Sequence, residues 1–327
     1  MMNSNSSNLE NFMKAAVLHK FGAEDQLVTE SIPIPDVGDS EVLIKVEFAG
    51  IGQWDIFERE GGYAEMLEMN VKFPYVTGSE GSGTIVSIGR EVNGLDIGDK
   101  VMATGFLNPK GGFYAEFAAI DQKYVTLVPP SISIQEAGVI SGVGITALRG
   151  LEDVLQLKKE ESIVVFGASG GVGHLAVQLA KQIGARVFAI ASGADGVEMV
   201  RQLGIENVVD GYKDDLLSAA KAVEPEGFDA ALLTAGGEAV KTIAQMMKAD
   251  GRIAYPNGVF PLPESDEVKA VSYNGDPDAD IISRFTHYVK NGNVRAHLDH
   301  SFPLEQASSA HLALKKHYVG KLGLKIY

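Results

Sequence analysis

The chain has 327 residues, enough for two domains that each bury a core of their own. Its 43 acidic residues against 28 basic ones leave a formal charge of −15, a field that repels nucleic acid and anionic lipid and argues against either as a partner. There is no cysteine, which excludes disulfides, thiolate nucleophiles and cysteine-ligated zinc, and no apolar run approaches the ~18 residues of a membrane span.

Residues 1–12, MMNSNSSNLENF, have neither a basic end nor an apolar stretch. They are expected to be a disordered tail rather than a signal or transit peptide, with cytoplasm as the default location. Folding is expected from Met13. Short strands follow at 14–21, 41–51, 81–89 and 99–106, punctuated by Gly, Pro, Asn and Asp, as in a β-rich unit. The pattern changes near Pro129–Pro130. Beyond it, strands at Ser162–Phe166, Arg186–Ala191, Asn207–Asp210, Asp229–Thr234 and Arg252–Tyr255 alternate with helices. Those helices are predicted at Val172–Ile183, Gly196–Leu203, Asp214–Val223 and Glu238–Ala249. Alternation of this kind makes βαβ units and a parallel sheet, so the fold class is α/β. The last stretch adds helices near Asp278–Asn291 and Leu304–His317, with strands at Val294–Phe302 and Lys321–Tyr327.

The turn between Phe166 and the next helix reads GASGGVG. Val172, Leu175, Ala176, Leu179, Ala180 and Ile183 recur on one helical face, and Gly184 is placed to stop the helix. The glycines therefore sit at a strand-to-helix turn, where free N–H groups and the helix dipole favour an anion. An ATPase-type phosphate loop fails, because His174-Leu175 stands where Lys-Ser/Thr is needed. Two readings remain open. Gly167-Ala-Ser169-Gly-Gly171 matches a nucleophile elbow, which would make Ser169 the nucleophile of a serine hydrolase. Ala168-x-Gly170-x-x-Gly173 matches a dinucleotide fingerprint, with alanine for its first glycine. Gly173 favours the second, since the elbow has no need of it. His174 is expected to be a first-turn surface residue, with a phosphate contact as the alternative.

Several stretches resemble the medium-chain dehydrogenase/reductase superfamily, above all its zinc-free quinone oxidoreductase branch, which includes zeta-crystallin. They are MKAAVLHKFG (13–22), TGSEGSGTIVSIG (77–89), VNGLDIGDKVMA (92–103), GGFYAEFAAI (111–120), AGVISGVGITAL (137–148), GASGGVGHLAVQLAKQIGA (167–185), FPLEQASSAH and VGKLGLKI. The resemblance implies a GroES-like β-barrel catalytic domain over 13–130, completed by about 270–327. It also implies a Rossmann doubly wound domain over 131–269, and a homodimer. It places Thr146, Gly170, Gly171, Val172 and Gly173 near the nicotinamide and pyrophosphate, within a loop that also contains Ala168 and Ser169. Thr234, Ala235, Gly236, Asn257 and Gly258 are implied beside the nicotinamide ribose.

The departures bear on mechanism. Where zinc-using relatives place a Gly-x-Cys ligand, this chain has Gly52, and where they have Gly-His-Glu it has Gly78-Ser79-Glu80. His297 and Asp299 would face away from His300 on a strand, so those three cannot converge. No metal is expected. Gly52 and Phe57 also replace an Asn and a Tyr of the quinone oxidoreductases, which leaves Gln53, Trp54 and Asp55 as the catalytic candidates, with Tyr63 as a further phenol. The second Rossmann strand ends at Ser192 without a carboxylate, which favours NADP(H). The expected activity is NADPH-dependent reduction of a quinone or enone. An enoyl-type reductase, an alcohol dehydrogenase, the serine hydrolase and a non-catalytic NADPH-binding protein are the alternatives.

Overall fold

The computed structural model describes residues 11–259, 270–292 and 294–327. Of the expected tail, residues 1–10 lie outside the described residues, whereas Phe12 already pairs with Pro33 in a strand. Two compact units result: Met1–Ser141 with Leu298–Tyr327, and Gly142–His297.

In the first unit, β1 (Phe12–Leu18) pairs antiparallel with β2 (Val28–Pro33). The longest strand, β3 (Glu41–Ile51), leads into two short helices, α1 (Gln53–Arg59) and α2 (Gly62–Met66). Next come β4 (Tyr75–Val76), β5 (Glu80–Ile88), β6 (Lys100–Thr104), β7 (Phe117–Asp121) and β8 (Val125–Leu127). The strand β3 pairs with both β5 and β7, so alternate residues such as Val42, Ile44 and Val46 are buried with Ile85, Val101, Phe113 and Ile120. This is the β-rich GroES-like unit.

The division between units falls inside a helix, α3 (Ile134–Leu148), and not at Pro129–Pro130. The second unit continues through β9 (Ser162–Phe166), α4 (Gly173–Ile183), β10 (Arg186–Ala191), α5 (Gly193–Gln202), β11 (Asn207–Asp210) and α6 (Leu216–Val223). It ends with β12 (Phe228–Leu233), α7 (Ala239–Ala244), β13 (Met247–Pro256), β14 (Ala270–Tyr273) and α8 (Ala279–Gly292). All sheet pairs are parallel, in the order β11-β10-β9-β12-β13-β14. Renumbered from β9, this is 3-2-1-4-5-6, the doubly wound order whose direction reverses between β9 and β12. Both faces are covered, which explains why Ile163, Val164 and Val165 are all buried.

The return to the first unit comprises β15 (Leu298–Pro303), α9 (Ala307–Ala313) and β16 (Lys321–Lys325). Strand β16 pairs with β3 from Leu322↔Ile51 to Lys325↔Phe48. Residues 270–292, expected to complete the first unit, instead supply β14 as sixth strand of the parallel sheet and the helix α8.

One helix is much shorter than its sequence pattern. The expected helix to Ala249 stops at Ala244, because Phe228 donates its N–H to the Met246 carbonyl and pairs with Met247. Sheet pairing overrides local propensity there. Likewise only Ala307–Ala313 of the expected Leu304–His317 is α-helical, after a 3₁₀ turn at Leu304–Gln306.

Candidate active site

The glycine loop lies where β9 ends, at the point where the sheet order reverses. Gly167 has φ +80, a conformation that favours glycine. A Cβ on Gly173 would lie 2.8 Å from Ala168 Cα and still closer to the Gly167 carbonyl, so the first turn of α4 must carry glycine to rest against the loop. Helix α4 then presents its N-terminal N–H groups at the strand end. Thr234, at the end of β12, donates its hydroxyl to the Phe166 carbonyl at 2.7 Å and to that of Gly167 at 3.2 Å, tying both sides of the crevice. Asn257 and Gly258 follow the end of β13, with Asn257 N–H on the Tyr273 carbonyl at 2.8 Å. Thr146, on α3, donates to the Gly142 carbonyl at 2.8 Å while its own carbonyl accepts from the Tyr273 hydroxyl. Residues Ala168–Gly173, Ser192, Thr234–Gly236 and Asn257–Gly258 therefore share the carboxyl edge of one sheet. Such a cradle of backbone groups fits a dinucleotide.

Ser169 is 4% exposed, and its Oγ accepts the Ser192 N–H at 3.0 Å. The hydroxyl thus braces the turn after β10, a geometry that does not suit a nucleophile elbow. His174 is not a surface residue, as the sequence led us to expect, nor a phosphate contact. It is fully buried, its Nε2 accepting the His297 N–H at 3.1 Å, so Nδ1 carries the proton and donates to the Gly170 carbonyl at 2.9 Å. Arg186 lies at the start of β10, paired with Glu224 at 2.7 Å, while Lys213 is 3.7 Å from Asp210, whose Oδ1 accepts the Gly193 N–H.

In the first unit, α1 begins where Asp55 Oδ2 accepts the Gly52 N–H at 2.7 Å, the carboxylate half of a capping box. Gln53 donates its amide to the Leu314 carbonyl at 3.1 Å and is hydrogen-bonded with Tyr318. The Trp54 indole folds back so that a Cβ on Gly52 would lie 2.5 Å from its Cε2. Behind it, Lys321 Nζ lies 4.6 Å from the indole centroid, pairs with Glu80 at 2.7 Å and donates to the Ile51 carbonyl at 2.9 Å. Tyr63 lies on α2, edge-on to Phe57 at 4.7 Å and to Phe106 at 4.9 Å.

These positions do not fit a zinc ion. Gly52 has no donor atom and its side-chain space is filled by indole, and the Ser79 hydroxyl donates to Asp55 Oδ1 at 3.2 Å. The Lys321 ammonium beside Glu80 opposes a second cation. Among the described residues no group of three or more His, Asp or Glu side chains could hold a metal.

Four groups around Asp55 went unnoticed in the sequence: Glu58, Tyr75, Tyr114 and His311. Tyr114 donates its hydroxyl to Asp55 Oδ2 at 3.1 Å, and His311 Nε2 meets that hydroxyl at 3.2 Å. Tyr114 lies 59 positions from Asp55 and His311 lies 197 from Tyr114, and the one signal for them was that both fall inside the stretches that resemble the family. Burial raises Asp55 to about 6, against the Gly52 N–H and the Lys321 charge. Burial and the charge of Asp55 raise Glu58 to about 8, and its Oε2 has no hydrogen-bond partner. Burial and Arg59 lower His311 to about 3, so the ring is neutral.

The comparisons agree with this geometry. Residues 38–130 match the family model described as alcohol dehydrogenase GroES-like domain, and residues 171–269 match that of zinc-binding dehydrogenase. The chain belongs to the medium-chain dehydrogenase/reductase superfamily, in its quinone oxidoreductase branch. It is 30% identical over 309 residues to the chloroplast envelope quinone oxidoreductase homolog of Arabidopsis thaliana, covering 89% of this chain and 91% of that one. It is also 30% identical over 322 residues to an NADPH-dependent alkenal/one oxidoreductase of the same plant, covering 95% and 78%. The solved quinone oxidoreductase from Coxiella burnetii superposes with a TM-score of 0.83 at 26% identity, covering 97% of this chain and all of that one (100%). The relatives are oxidoreductases of a superfamily that uses nicotinamide cofactors.

Three outcomes follow, two from the glycine loop and one from the first unit. Gly173→Val should raise the dissociation constant for the nicotinamide dinucleotide at least about tenfold, roughly 1.4 kcal/mol, by titration of cofactor fluorescence. Ser169→Ala should keep most turnover, losing about 1 kcal/mol of stability with one buried hydrogen bond. In the first unit, Glu58 holds its proton when folded and releases it on unfolding between about pH 4.5 and 8. Stability is therefore greatest below that window and falls as pH rises through it, on the order of a few kcal/mol. Melting temperatures from pH 5 to 8.5 should fall less for Glu58→Gln, which stays neutral and still accepts from Tyr75, than for the wild type.

Proposed function

We propose that the protein is an NADPH-dependent, zinc-independent reductase of quinones or α,β-unsaturated carbonyls, acting as a cytoplasmic homodimer without nucleic-acid or membrane partners. The observation that carries the reading is the packing at Gly52, where indole fills the space of a metal-ligand side chain, with Ser79 committed to Asp55. A quinone oxidoreductase homolog and an alkenal/one oxidoreductase among the relatives support the acceptor class.

Bound NADPH supplies the hydride. Gly170, Gly171, Val172 and Gly173 would hold its pyrophosphate, and Thr146, Thr234–Gly236 and Asn257–Gly258 its nicotinamide end. Ser192 would face the adenosine ribose. Hydride arriving at the β-carbon of an enone leaves an enolate, and a quinone leaves a phenolate. Both anions are far more stable than an alkoxide, so hydrogen bonds from groups such as the Trp54 indole N–H or the Gln53 amide suffice without a Lewis acid. Simple alcohols, whose oxidation runs through an alkoxide, are poor substrates on this reading. No helix among the described residues is long and apolar enough to cross a membrane.

NADPH should be preferred over NADH by at least about tenfold in kcat/KM, roughly 1.4 kcal/mol. Steady-state rates with both cofactors check this, and Ser192→Asp, which places a carboxylate where the 2′-phosphate would lie, should erode the preference. Equal use of NADH would refute it. NADPH-driven reduction of a quinone or enone should also survive prolonged chelation, with ethanol oxidation near background. Activity that zinc restores after chelation would show the reading wrong.

A further inference from the structure

We propose that Arg59, His311 and Tyr114 form a one-way hydrogen-bond chain that positions Asp55, and through it the first turn of α1 with Gln53 and Trp54. The four side chains are fully buried and come from three separate segments: α1, the loop before β7, and α9. Arg59 Nη1 lies 3.1 Å from His311 Nδ1, His311 Nε2 lies 3.2 Å from the Tyr114 hydroxyl, and that hydroxyl lies 3.1 Å from Asp55 Oδ2.

The direction is fixed by chemistry. A guanidinium has donors only, so His311 Nδ1 must accept and the ring proton must reside on Nε2. Nε2–H then donates to the Tyr114 oxygen, which leaves the phenolic proton no acceptor in the chain but Asp55. The far end is fixed as well: Arg59 Nε donates to the Gly22 carbonyl at 2.9 Å, and Nη2 meets the carboxylate of Glu60, with Glu24 at 4.0 Å. Because arginine neither gives up nor takes a proton at ordinary pH, the chain does not conduct protons; it orients.

What it orients is the carboxylate that caps α1. Asp55 Oδ2 receives both the Tyr114 hydroxyl and the Gly52 N–H, while Oδ1 receives the Ser79 hydroxyl. A helix of seven residues is marginal by itself, so its start depends on such outside anchors. Gly78 makes room for the anchor. It has φ +107, and a Cβ there would lie 2.9 Å from the Tyr114 backbone nitrogen. Arg59, His311 and Tyr114 are thus positioning residues, acting on the acceptor side through Asp55.

The activity arm of the test rests on the reductase reading above; the optical arm does not. Trp54 is the single tryptophan beside ten tyrosines, so fluorescence excited selectively in tryptophan, at the red edge where tyrosine does not absorb, reports on the first turn of α1. Tyr114→Phe removes one oxygen, His311→Leu breaks the chain, and His311→Gln can still accept from Arg59 and donate to Tyr114. In Tyr114→Phe and His311→Leu, Trp54 emission should move to longer wavelength and become more open to acrylamide quenching, with far-UV circular dichroism unchanged. With NADPH and a quinone, kcat should fall about tenfold as the acceptor-side groups lose their placement, while KM for NADPH stays put. His311→Gln should restore both readings most of the way. Should His311→Leu not fold, Tyr114→Phe carries the test. Wild-type emission in Tyr114→Phe, or His311→Gln behaving like His311→Leu, overturns the proposal. Shifted emission in a protein that reduces no quinone or enone upholds the positioning chain and sinks the reductase reading instead.

Discussion

A carboxylate with no access to water has to be met by donors on every side, and Asp55 sets that requirement for the first unit. Leaving a buried charge without its partner costs about 3–5 kcal/mol, a large share of the net stability of a domain. The donors come from Gly52 at the end of β3, Ser79 just before β5 and Tyr114 before β7, with His311 on α9 behind Tyr114. Those segments can converge only if residues 298–327 return to the β-rich half of the chain. The return strand β16 does this by pairing with β3, the strand that runs into α1. Sheet pairing and the buried carboxylate therefore demand the same topology.

The two candidate sites, one in each unit, are built by different physics. The crevice of the parallel sheet is made by backbone: a strand end, a glycine turn and the first turn of α4. Backbone groups can approach a ligand only where side chains are missing, so the position leaves a trace in the sequence as glycine. That is why residues 167–173 could be read directly, and why strands β9, β10 and β11 have the bounds their apolar runs predict. The cluster around Asp55 is made of side chains that hold one another. Asp55, Glu58 and Arg59 on a seven-residue helix are all buried, and of the three the sequence pointed only to Asp55.

The misreadings share a cause. His174 follows the glycines at a first-turn position, and nothing local says that the His297 N–H will arrive at its Nε2. The helical pattern after Glu238 is real, but the Phe228–Met247 pairing ends it early. Strand β14 is four residues long and reads AVSY, too short to stand out, although it completes the sheet. In each case a partner far along the chain decided what local propensity had left open, which is the ordinary limit of sequence periodicity.

Gly52 and Ser79 look like a zinc site with its ligands deleted, but the packing around them has the character of a core. Indole lies against the Gly52 backbone, the Lys321 ammonium stands behind the ring, and Glu80 neutralises the ammonium, with Lys321 2% exposed and Glu80 not at all. A buried ion pair of this kind is poor evidence of net stability, since desolvation offsets much of its attraction. Its removal in part is nonetheless costly, because either partner alone would be a bare charge in an apolar setting. Restoring donor side chains at 52 and 79 would therefore not restore a metal site. A side chain at 52 must displace the indole, and displacing the indole uncovers the Lys321–Glu80 pair. The cation already present at the site is an ammonium on a fixed stem, hydrogen-bonded to the Ile51 carbonyl that leads into α1. That same helix starts at the Gly52 N–H held by Asp55, so the buried ammonium and the buried carboxylate are anchored to one turn of backbone.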